Sequence, residues 1–281
     1  MSTPLMEVRG LRKEYPVRKG FPIQRTVSTV HAVDGVDLEV NEGETLGIVG
    51  ESGCGKSTTA RLMLRLIEPT AGEILWRGHN IAGYTRKQMI PLRREMQMIF
   101  QDPYSSLNPR KTIGSIIAEP FLIHGLASDV DAAKPRVQEL MERVGLNPEH
   151  FNRLPHQFSG GQRQRIGVAR ALAVDPKLII ADEPVSALDV SIQAQILGLL
   201  RELQRDLGLT MIFISHDLSV VRHMCNRVAV MNAGRVVEAA PAEELYSSPQ
   251  HEYTKTLLAA VPIADPVAAR ERREASGAAG A

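Results

Sequence analysis

Short segments with the hydrophobic patterns of β-strands recur along the chain. Segments in which apolar and polar residues alternate, as in strands with one exposed face, lie at 5–9, 36–40 and 72–78. Continuous apolar segments, typical of strands buried on both faces of a sheet, lie at 45–49, 96–100, 177–181 and 209–214. Two more strands, 227–231 and 235–239, flank Asn232-Ala233-Gly234, a turn sequence that predicts a hairpin.

Helical periodicity fills most of the remaining chain. Apolar residues from Ala60 to Ile67 predict a helix that ends before Pro69, and those from Ile192 to Leu207 predict one that ends at Gly208. Residues 101–170 carry helical patterns and no convincing strand. Within that stretch the segments with a helical pattern are 112–120 and 129–145, and two short helical segments, 243–247 and 253–261, follow near the C-terminus. Ser128 is the predicted N-cap of the helix at 129–145, which carries Pro135 in its early turns.

These elements predict the fold class and its parts. We expect an α/β fold with a P-loop core, in which helices flank a mixed or parallel sheet, joined to an antiparallel β subdomain. The core and the antiparallel sheet together take residues 1–100 and 171–240. A helical subdomain, 101–170, is inserted, and a helical extension occupies 241–262. Residues 263–281, rich in Ala, Arg, Glu and Gly, are predicted to be a disordered tail.

Composition limits the classes of function. The chain has 281 residues, 43% of them hydrophobic, and a formal net charge of +1, so no overall basic field argues for a nucleic-acid partner. Two cysteines, Cys54 and Cys225, suit a reducing compartment and lack metal-ligand spacing. No apolar segment is long enough to cross a bilayer, and we expect no signal peptide. A membrane role would therefore need a partner.

The strongest chemical signal is the glycine-rich sequence from Gly50 to Thr58. It follows an apolar strand, precedes a helix, and has the spacing of a glycine, four residues, then Gly-Lys-Ser/Thr. Such a loop turns backbone N–H groups toward a polyphosphate at a helix N-terminus. Lys56 can reach the β- and γ-phosphates, and the Ser57 hydroxyl can ligate Mg²⁺. The sequence thus predicts a nucleoside-triphosphate site. For Cys54 we expect a lowered thiol pKa, because it precedes a helix.

Polar residues follow three of the predicted buried strands. Gln101 follows the strand at 96–100, and the pair Asp182-Glu183 follows 177–181. His216 follows 209–214, and a lone histidine there is either structural or in contact with a γ-phosphate. Open α/β sheets bind ligands at the carboxyl ends of their strands. One acid of such a pair orients Mg²⁺, and the other is free to act on water.

Two features leave alternatives open. Ser159, Gly160, Gly161 and Gln162 precede a helix, where the glycine N–H groups would either bind an anion or form a capped loop, with neither favoured. Tyr15 stands at the start of a basic stretch, 17–30, predicted as a surface loop or hairpin. Its ring could stack on a purine base or be an ordinary aromatic at a strand end, and position alone slightly favours the second.

The motifs together resemble a known family. GESGCGKST, FQDP, FSGGQRQRI, LIIADEP, SALD and SHD occur in the order and approximate spacing of the nucleotide-binding subunits of ATP-binding-cassette transporters. The resemblance covers about residues 5–262. Segments 102–110 and 248–258 resemble the oligopeptide, dipeptide and nickel importers, although Glu252 stands where proline is usual and Phe158 where leucine is usual. Some members carry a C-terminal cysteine cluster, for which this chain lacks the cysteines.

The resemblance implies a role for each matching residue. Residues that would hold ATP are Tyr15, stacking on adenine, with Gly50, Ser52, Gly53, Cys54, Gly55, Lys56, Ser57 and Thr58 around the phosphates. Ser57, Gln101 and Asp182 would hold Mg²⁺, Glu183 would be the general base, and His216 would contact the γ-phosphate. Ser159, Gly160, Gly161 and Gln162 would contact the nucleotide of a second subunit, to which Asp189 would couple.

The resemblance also implies partners and a location. We expect a head-to-tail dimer with a second ATPase subunit, either identical or a paralogue, because importers of this branch often pair two different ATPases. Two membrane permease subunits would bind the dimer at the cytoplasmic face of the cell membrane, and an extracytoplasmic solute-binding protein would act indirectly. The expected function is ATP-driven peptide import. Alternatives are import of nickel or another small solute and, less favoured, a non-transport ATPase of the same family.

Overall fold

A computed structural model describes residues 3–19 and 25–260, which contain two β-sheets. In chain order the strands are β1 (Met6–Lys19), β2 (Arg25–Val40), β3 (Thr45–Val49), β4 (Ala71–Trp76), β5 (His79–Asn80), β6 (Met96–Ile99), β7 (Leu178–Asp182), β8 (Thr210–Ser215), β9 (Arg227–Asn232) and β10 (Arg235–Pro241). The six-stranded sheet has the order β10-β9-β3-β8-β7-β6, in which β10 runs antiparallel to β9 and the other pairs are parallel. The predicted mixed sheet is confirmed.

Both faces of the six-stranded sheet are buried at β3, β7 and β8, as the continuous apolar segments predicted, whereas the edge strand β10 is partly exposed. Along β8, Met211 and Phe213 pack into a core shared with helices on one face, whereas Ile212 and Ile214 pack into a second core on the other. Side chains alternate between the two faces of a strand, so one apolar segment supplies both cores. The burial of both faces fixes the sheet and therefore the positions of its strand ends.

The second sheet is antiparallel, with the order β2-β1-β4-β5, and packs over the second core. Its first two strands extend far beyond the predicted 5–9 and 36–40, because β1 and β2 pair from Met6–Val40 up to Lys19–Arg25. Register shifts interrupt the pattern, and Gly10 has a φ of +54°, so simple alternation does not reveal the full length. Of the stretch 17–30, predicted as a loop or hairpin, residues 17–19 and 25–30 lie in these two paired strands, and residues 20–24 lie outside the described residues.

Helices flank the six-stranded sheet and form a group beside it. They are α1 (Lys56–Met63), α2 (Arg86–Glu95), α3 (Ile113–Ile123), α4 (Val130–Arg143), α5 (Gly160–Leu172), α6 (Val190–Leu207), α7 (Leu218–Met224), α8 (Ala242–Ser247) and α9 (Glu252–Ala259). Short 3₁₀ turns lie at Pro148–Asn152 and Pro155–Gln157. Helix α3 packs against α4 and α5, and the shared apolar core continues to the sheet. The boundaries proposed from sequence at 100, 170 and 240 stay predictions.

Two helix ends differ from the prediction. Helix α1 ends at Met63, earlier than Ile67, because Arg65 takes a left-handed φ of +50° and the Leu66 N–H donates to Arg61 O, which closes the helix. Asp129 caps α4 in place of Ser128: its carboxylate accepts the Ala132 N–H at 2.8 Å, and the Ser128 hydroxyl donates to that same side chain. A carboxylate facing the positive end of a helix competes well with a hydroxyl.

The C-terminal helices α8 and α9 pack against the first core through Leu245 and Tyr253. The predicted tail, 263–281, lies outside the described residues. Within the described ranges, 3–19 and 25–260, no helix combines the length and apolar character that crossing a bilayer requires.

Candidate active site

The phosphate-binding loop leaves β3 and enters α1. All three of its glycines have a positive φ, a conformation that other residues avoid: +151° at Gly50, +81° at Gly53 and +108° at Gly55. A Cβ on Gly50 would lie 2.1 Å from Met231 O, and one on Gly55 would lie 2.4 Å from Ala32 O. The loop is therefore packed tightly between β9 and β2, which positions its backbone for an anion at the start of α1.

Lys56 and Ser57 are the first two residues of α1, and each side chain is held by hydrogen bonds to different partners. The Lys56 Nζ, with the residue only 4% exposed, donates to Gly50 O and Glu51 O, each at 2.8 Å. The Ser57 hydroxyl donates to the Asp182 carboxylate at 2.7 Å. Asp182 ends β7 and is 2% exposed, so the parallel strands bring the loop and the acid together at one sheet edge.

Glu183 is the centre of the polar groups beyond β7. Its Oε2 accepts a hydrogen bond from Gln101 Nε2 at 3.0 Å and lies 3.3 Å from His216 Nδ1. Its φ is +46°, an uncommon conformation for glutamate, which the Glu183 N–H supports by donating to Ile214 O at 3.0 Å. Three strand ends thus bring one carboxylate, one amide and one imidazole within hydrogen-bonding reach.

These groups line one cavity of about 370 Å³. Its lining consists of Ala32, Ser52, Gly53, Gly55, Lys56, Ser57, Thr58, Gln101, Glu183 and His216. Lys56 and the N-terminus of α1 face the Glu183 carboxylate across this space, which suits a polyphosphate together with a group able to act on water. The cavity defines a nucleoside-triphosphate site of the P-loop class.

Some residues predicted for the site lie outside this cavity. Tyr15 in β1 pairs with Val30, two residues from the cavity residue Ala32, and its 43%-exposed ring has Lys13 Nζ at 5.1 Å from its centroid. The backbone pairing places Tyr15 beside the part of β2 that leads to Ala32, and a base could stack on its exposed ring. Gly50 and Asp182 do not line the cavity either, but each accepts a hydrogen bond from a residue that does: Gly50 O from Lys56 and the Asp182 carboxylate from Ser57.

The start of α5, which carries the second glycine pair, also lies away from the cavity. Ser159 and Gln162 form a reciprocal cap, with the Ser159 N–H donating to Gln162 Oε1 at 3.0 Å and the Gln162 N–H donating to Ser159 Oγ at 3.3 Å. A Cβ on Gly161 would lie 2.4 Å from Ile192 in α6. Asp189 caps α6 by accepting the Ile192 N–H at 3.0 Å, so the Gly161 and Asp189 segments both lie against Ile192.

Cys54 contradicts the expectation of a lowered pKa. Burial raises the pKa of the Cys54 thiol, and this effect exceeds the opposing charge of Lys56. The side chain is 8% exposed and packs beneath Gly50 rather than toward the cavity. Its N–H donates to Glu51 O at 3.3 Å. Position before a helix alone did not predict that the thiol would turn inward.

Asp182 provides a stability test of the site. Burial raises the pKa of its carboxyl, although the hydrogen bond from Ser57 partly opposes this. A raised folded-state pKa means that the ionised carboxylate lowers stability once the pH exceeds the unfolded-state value. We expect Asp182→Asn to raise the Tm of the nucleotide-free protein at pH 8, to lose this advantage as the pH falls toward 4, and to impair ATP hydrolysis. Thermal unfolding across that range measures the effect.

Asp189→Asn is the matched control. The Ile192 N–H and the Ser191 hydroxyl lower the pKa of the exposed Asp189, so losing this charge should give no stabilisation at pH 8. A Tm for Asp182→Asn equal to or below that of the parent protein at pH 8 would contradict a costly buried carboxylate.

Comparison with known proteins places the chain in a family. The family described as "ABC transporter" matches residues 33–186, and "Oligopeptide/dipeptide transporter, C-terminal region" matches 237–280. The oligopeptide transport ATP-binding protein OppF of Bacillus subtilis is 55% identical over 97% of this chain and 87% of its own length. The chain belongs to the ABC transporter family, and it is an ATP-binding subunit with ATPase activity. This confirms the predicted family and fold class.

Other relatives agree. The oligopeptide transport ATP-binding protein AppF of the same species is 54% identical over 92% of this chain and 78% of its own length. The glutathione import ATP-binding protein GsiA of Escherichia coli is 54% identical over 96% of this chain, which spans only 43% of GsiA. The ATP-binding cassette MJ0796, a dimer in a post-hydrolysis state bound to ADP and Pi, matches with a TM-score of 0.75 and 29% identity, over 84% of this chain and 98% of its own.

The sequence did not point to several residues that shape the site. Ala32 lines the cavity from β2, and the Gly234 N–H supports the loop by donating to Cys54 O at 2.9 Å. Tyr253 accepts a hydrogen bond from the Glu51 N–H at 3.2 Å. All three contacts join segments far apart in the chain, and only the turn at Asn232-Ala233-Gly234 left a local signal.

Proposed function

We propose that this chain binds and hydrolyses ATP to power the import of peptides through a membrane permease. The match of residues 237–280 to the oligopeptide and dipeptide transporter region carries the choice of substrate class. Relatives named for oligopeptide transport and for import of glutathione, itself a tripeptide, support peptides over nickel or another small solute. The Gln101–Glu183–His216 arrangement supports an active ATPase rather than a structural regulator.

Within the cavity, each residue would perform one task. Lys56 would bind the β- and γ-phosphates, together with loop N–H groups at Ser52, Gly53, Gly55 and Thr58. Glu183 would accept a proton from the attacking water, which Gln101 would orient. His216 would donate a hydrogen bond to the γ-phosphate. Tyr15 would stack on the adenine at the rim.

The oxygen donors beside the loop fit Mg²⁺. The Ser57 hydroxyl and the Asp182 carboxylate lie 2.7 Å apart, and the amide oxygen of Gln101 is a further donor of the kind this ion prefers. Among residues 3–19 and 25–260, no group of three or more His, Cys, Asp or Glu side chains could hold a metal alone, so phosphate oxygens would complete the coordination. Bound Mg²⁺ would neutralise charge that develops on the phosphates. Asp182 would act on the ion through water.

A second subunit would complete the site. The start of α5 lies outside this chain's own cavity, so its glycine N–H groups are available to the γ-phosphate of a head-to-tail partner. Ser159 and Gln162 would present that surface, and Asp189, joined to it through Gly161 and Ile192, would couple the two subunits. The partner would be an identical chain or a paralogue. ATP between the two would favour the closed dimer, and hydrolysis would release it.

A groove beside Gln101 fits the permease contact. It has a volume of about 520 Å³ and is lined by, among others, Leu66, Met98, Phe100, Pro120, Ile123 and Arg170. Phe100 and Ile123 are exposed apolar residues on either side, and Phe100 directly precedes Gln101. Movement of α3 relative to β6 would thus be linked to the nucleotide. Bound to the permease, the chain would lie at the cytoplasmic face of the cell membrane. An extracytoplasmic peptide-binding protein would interact with the permease and not with this chain.

Copurification tests this assignment. A tagged chain, purified from mild-detergent membrane extracts, should bring a second ATPase and two permease subunits with it. Cells lacking the chain should lose uptake of a labelled tripeptide and keep uptake of Ni²⁺. Ile123→Glu places a charge at a 65%-exposed position of the groove and should lose the permease subunits while keeping ATP binding.

Lys87→Glu, a charge change on the exposed face of α2, is the control and should keep all partners. Purification without membrane subunits would contradict the transport assignment. If cells lacking the chain lost Ni²⁺ uptake and kept peptide uptake, the proposed substrate would be nickel and not peptides.

A further inference from the structure

The phosphate-binding loop depends on contacts to its two sides. On the cavity side, Lys56 Nζ donates to Gly50 O and Glu51 O, each at 2.8 Å. The ammonium of Lys56 is also the group that would bind a triphosphate, and each hydrogen it donates to phosphate is one fewer for these carbonyls. Contacts on the outer side must then keep the first turn of the loop in place.

Two contacts support the loop from outside. The Gly234 N–H, in the turn between β9 and β10, donates to Cys54 O at 2.9 Å. The hydroxyl of Tyr253, in the first turn of α9, accepts the Glu51 N–H at 3.2 Å. Glu51 stands 202 residues before Tyr253, so the C-terminal helix reaches back to the beginning of the nucleotide site.

The position of Tyr253 is itself fixed. The Glu238 carboxylate, on β10, accepts the N–H groups of Gln250 and His251 at 2.8 and 2.9 Å, which anchors the entry to α9. His251 Nδ1 then accepts the Tyr253 N–H at 3.1 Å and caps the helix. The Tyr253 ring packs against the first core. The hydroxyl therefore reaches Glu51 from a rigid support, which lowers the entropic cost of the contact.

We infer that Tyr253 is a positioning residue for ATP binding, holding the Gly50–Glu51 turn in its phosphate-binding conformation while Lys56 binds phosphate. The C-terminal region that marks the peptide-transporter branch is thus part of the nucleotide site's support and not only an appendage. This inference goes beyond the proposed transport function, because it concerns the ATP affinity of the chain itself.

Tyr253→Phe tests the inference, because it removes the hydroxyl and keeps the ring. One neutral hydrogen bond corresponds to an affinity change of roughly 3- to 10-fold. We expect the Kd for ATP, measured by isothermal titration on the full-length chain, to rise by about that factor. The KM of the ATPase reaction should rise in parallel, with kcat within about twofold of the parent value, since a loop contact made equally in ground and transition states affects binding alone.

Tyr84→Phe makes the same chemical change at a partly buried tyrosine of the second core and should leave the Kd unchanged. Glu238→Gln, which weakens the anchor but keeps the hydroxyl, should raise the Kd by a smaller factor than Tyr253→Phe. A Tyr253→Phe protein whose Kd and KM match those of Tyr84→Phe would overturn the inference, as would a variant that loses only thermal stability. The transport proposal would survive either result, because neither touches the permease or the peptide.

Discussion

Replacing Glu183 by glutamine should slow ATP hydrolysis by about 10²- to 10⁴-fold while leaving ATP affinity within a few-fold of the parent value. Glutamine has nearly the same shape, so the Gln101 and His216 contacts can be kept through its amide oxygen. What is lost is a basic oxygen that can accept a proton from water. General-base catalysis depends on that proton transfer, whereas nucleotide binding would depend on Lys56 and the loop.

The backbone conformation of Glu183 should keep the side chain of the Glu183→Gln variant in the same position. Its positive φ is stabilised by hydrogen bonds to Ile214 O and from Ser186, which donates to Glu183 O at 3.2 Å. Backbone strain of this kind persists where the surroundings hold it in place, and it is often found at functional sites. The backbone conformation therefore directs the Glu183 side chain into the cavity, and a glutamine at this position should adopt the same orientation.

The measurement is the steady-state ATPase rate beside the ATP Kd, with Glu202→Gln on the exposed face of α6 as the control for a lost carboxylate. With ATP, the Glu183→Gln protein, alone or with the ATPase that copurifies with it, should sediment as a stable dimer and should return to monomers with ADP. Hydrolysis near the parent rate would remove Glu183 from the role of base. A variant that binds ATP and stays a lone protomer would contradict the site shared between subunits.

Features encoded by neighbouring residues could be predicted from the sequence. The loop from Gly50 to Thr58 and the strand before it each depend on residues within a few positions of one another. The continuous apolar segments predicted β3, β7 and β8 because burial on both faces leaves no polar positions. Because parallel strands place their carboxyl ends at one edge, even the meeting of Gln101, Glu183 and His216 could be expected.

Other features depend on how distant segments pack, and no local pattern reports them. The contact between Tyr253 and Glu51 joins residues 202 positions apart, and the sequence near Tyr253 predicts only a helix. Cys54 illustrates the same limit: its place before α1 predicted a lowered pKa, but the thiol turns under Gly50, where burial raises the pKa. At α4, Ser128 and Asp129 are both good caps, and the sequence alone did not show that the Asp129 carboxylate would accept the Ala132 N–H.

Lys56→Ala should reduce the affinity for ATP by about 100-fold or more, because hydrogen bonds to a charged group contribute about 1.5–3 kcal/mol each and the ammonium can donate several. The side chain is 4% exposed and is already directed into the loop by Gly50 O and Glu51 O. Its truncation removes the cation that would bind the phosphates and also leaves those two carbonyls without their donor. Both effects weaken nucleotide binding, so this loss should exceed that of Tyr253→Phe.

Isothermal titration with ATP and with ADP measures the loss, and the ATP value should change more, since Lys56 would also contact the γ-phosphate. Lys87→Ala, an exposed lysine on α2, controls for the removal of one positive charge and should bind as the parent does. A circular dichroism spectrum and a Tm near the parent values would show that the variant is folded. Tight ATP binding by a folded Lys56→Ala protein would contradict the phosphate-binding role of this loop, because no other lysine lines the cavity among the described residues.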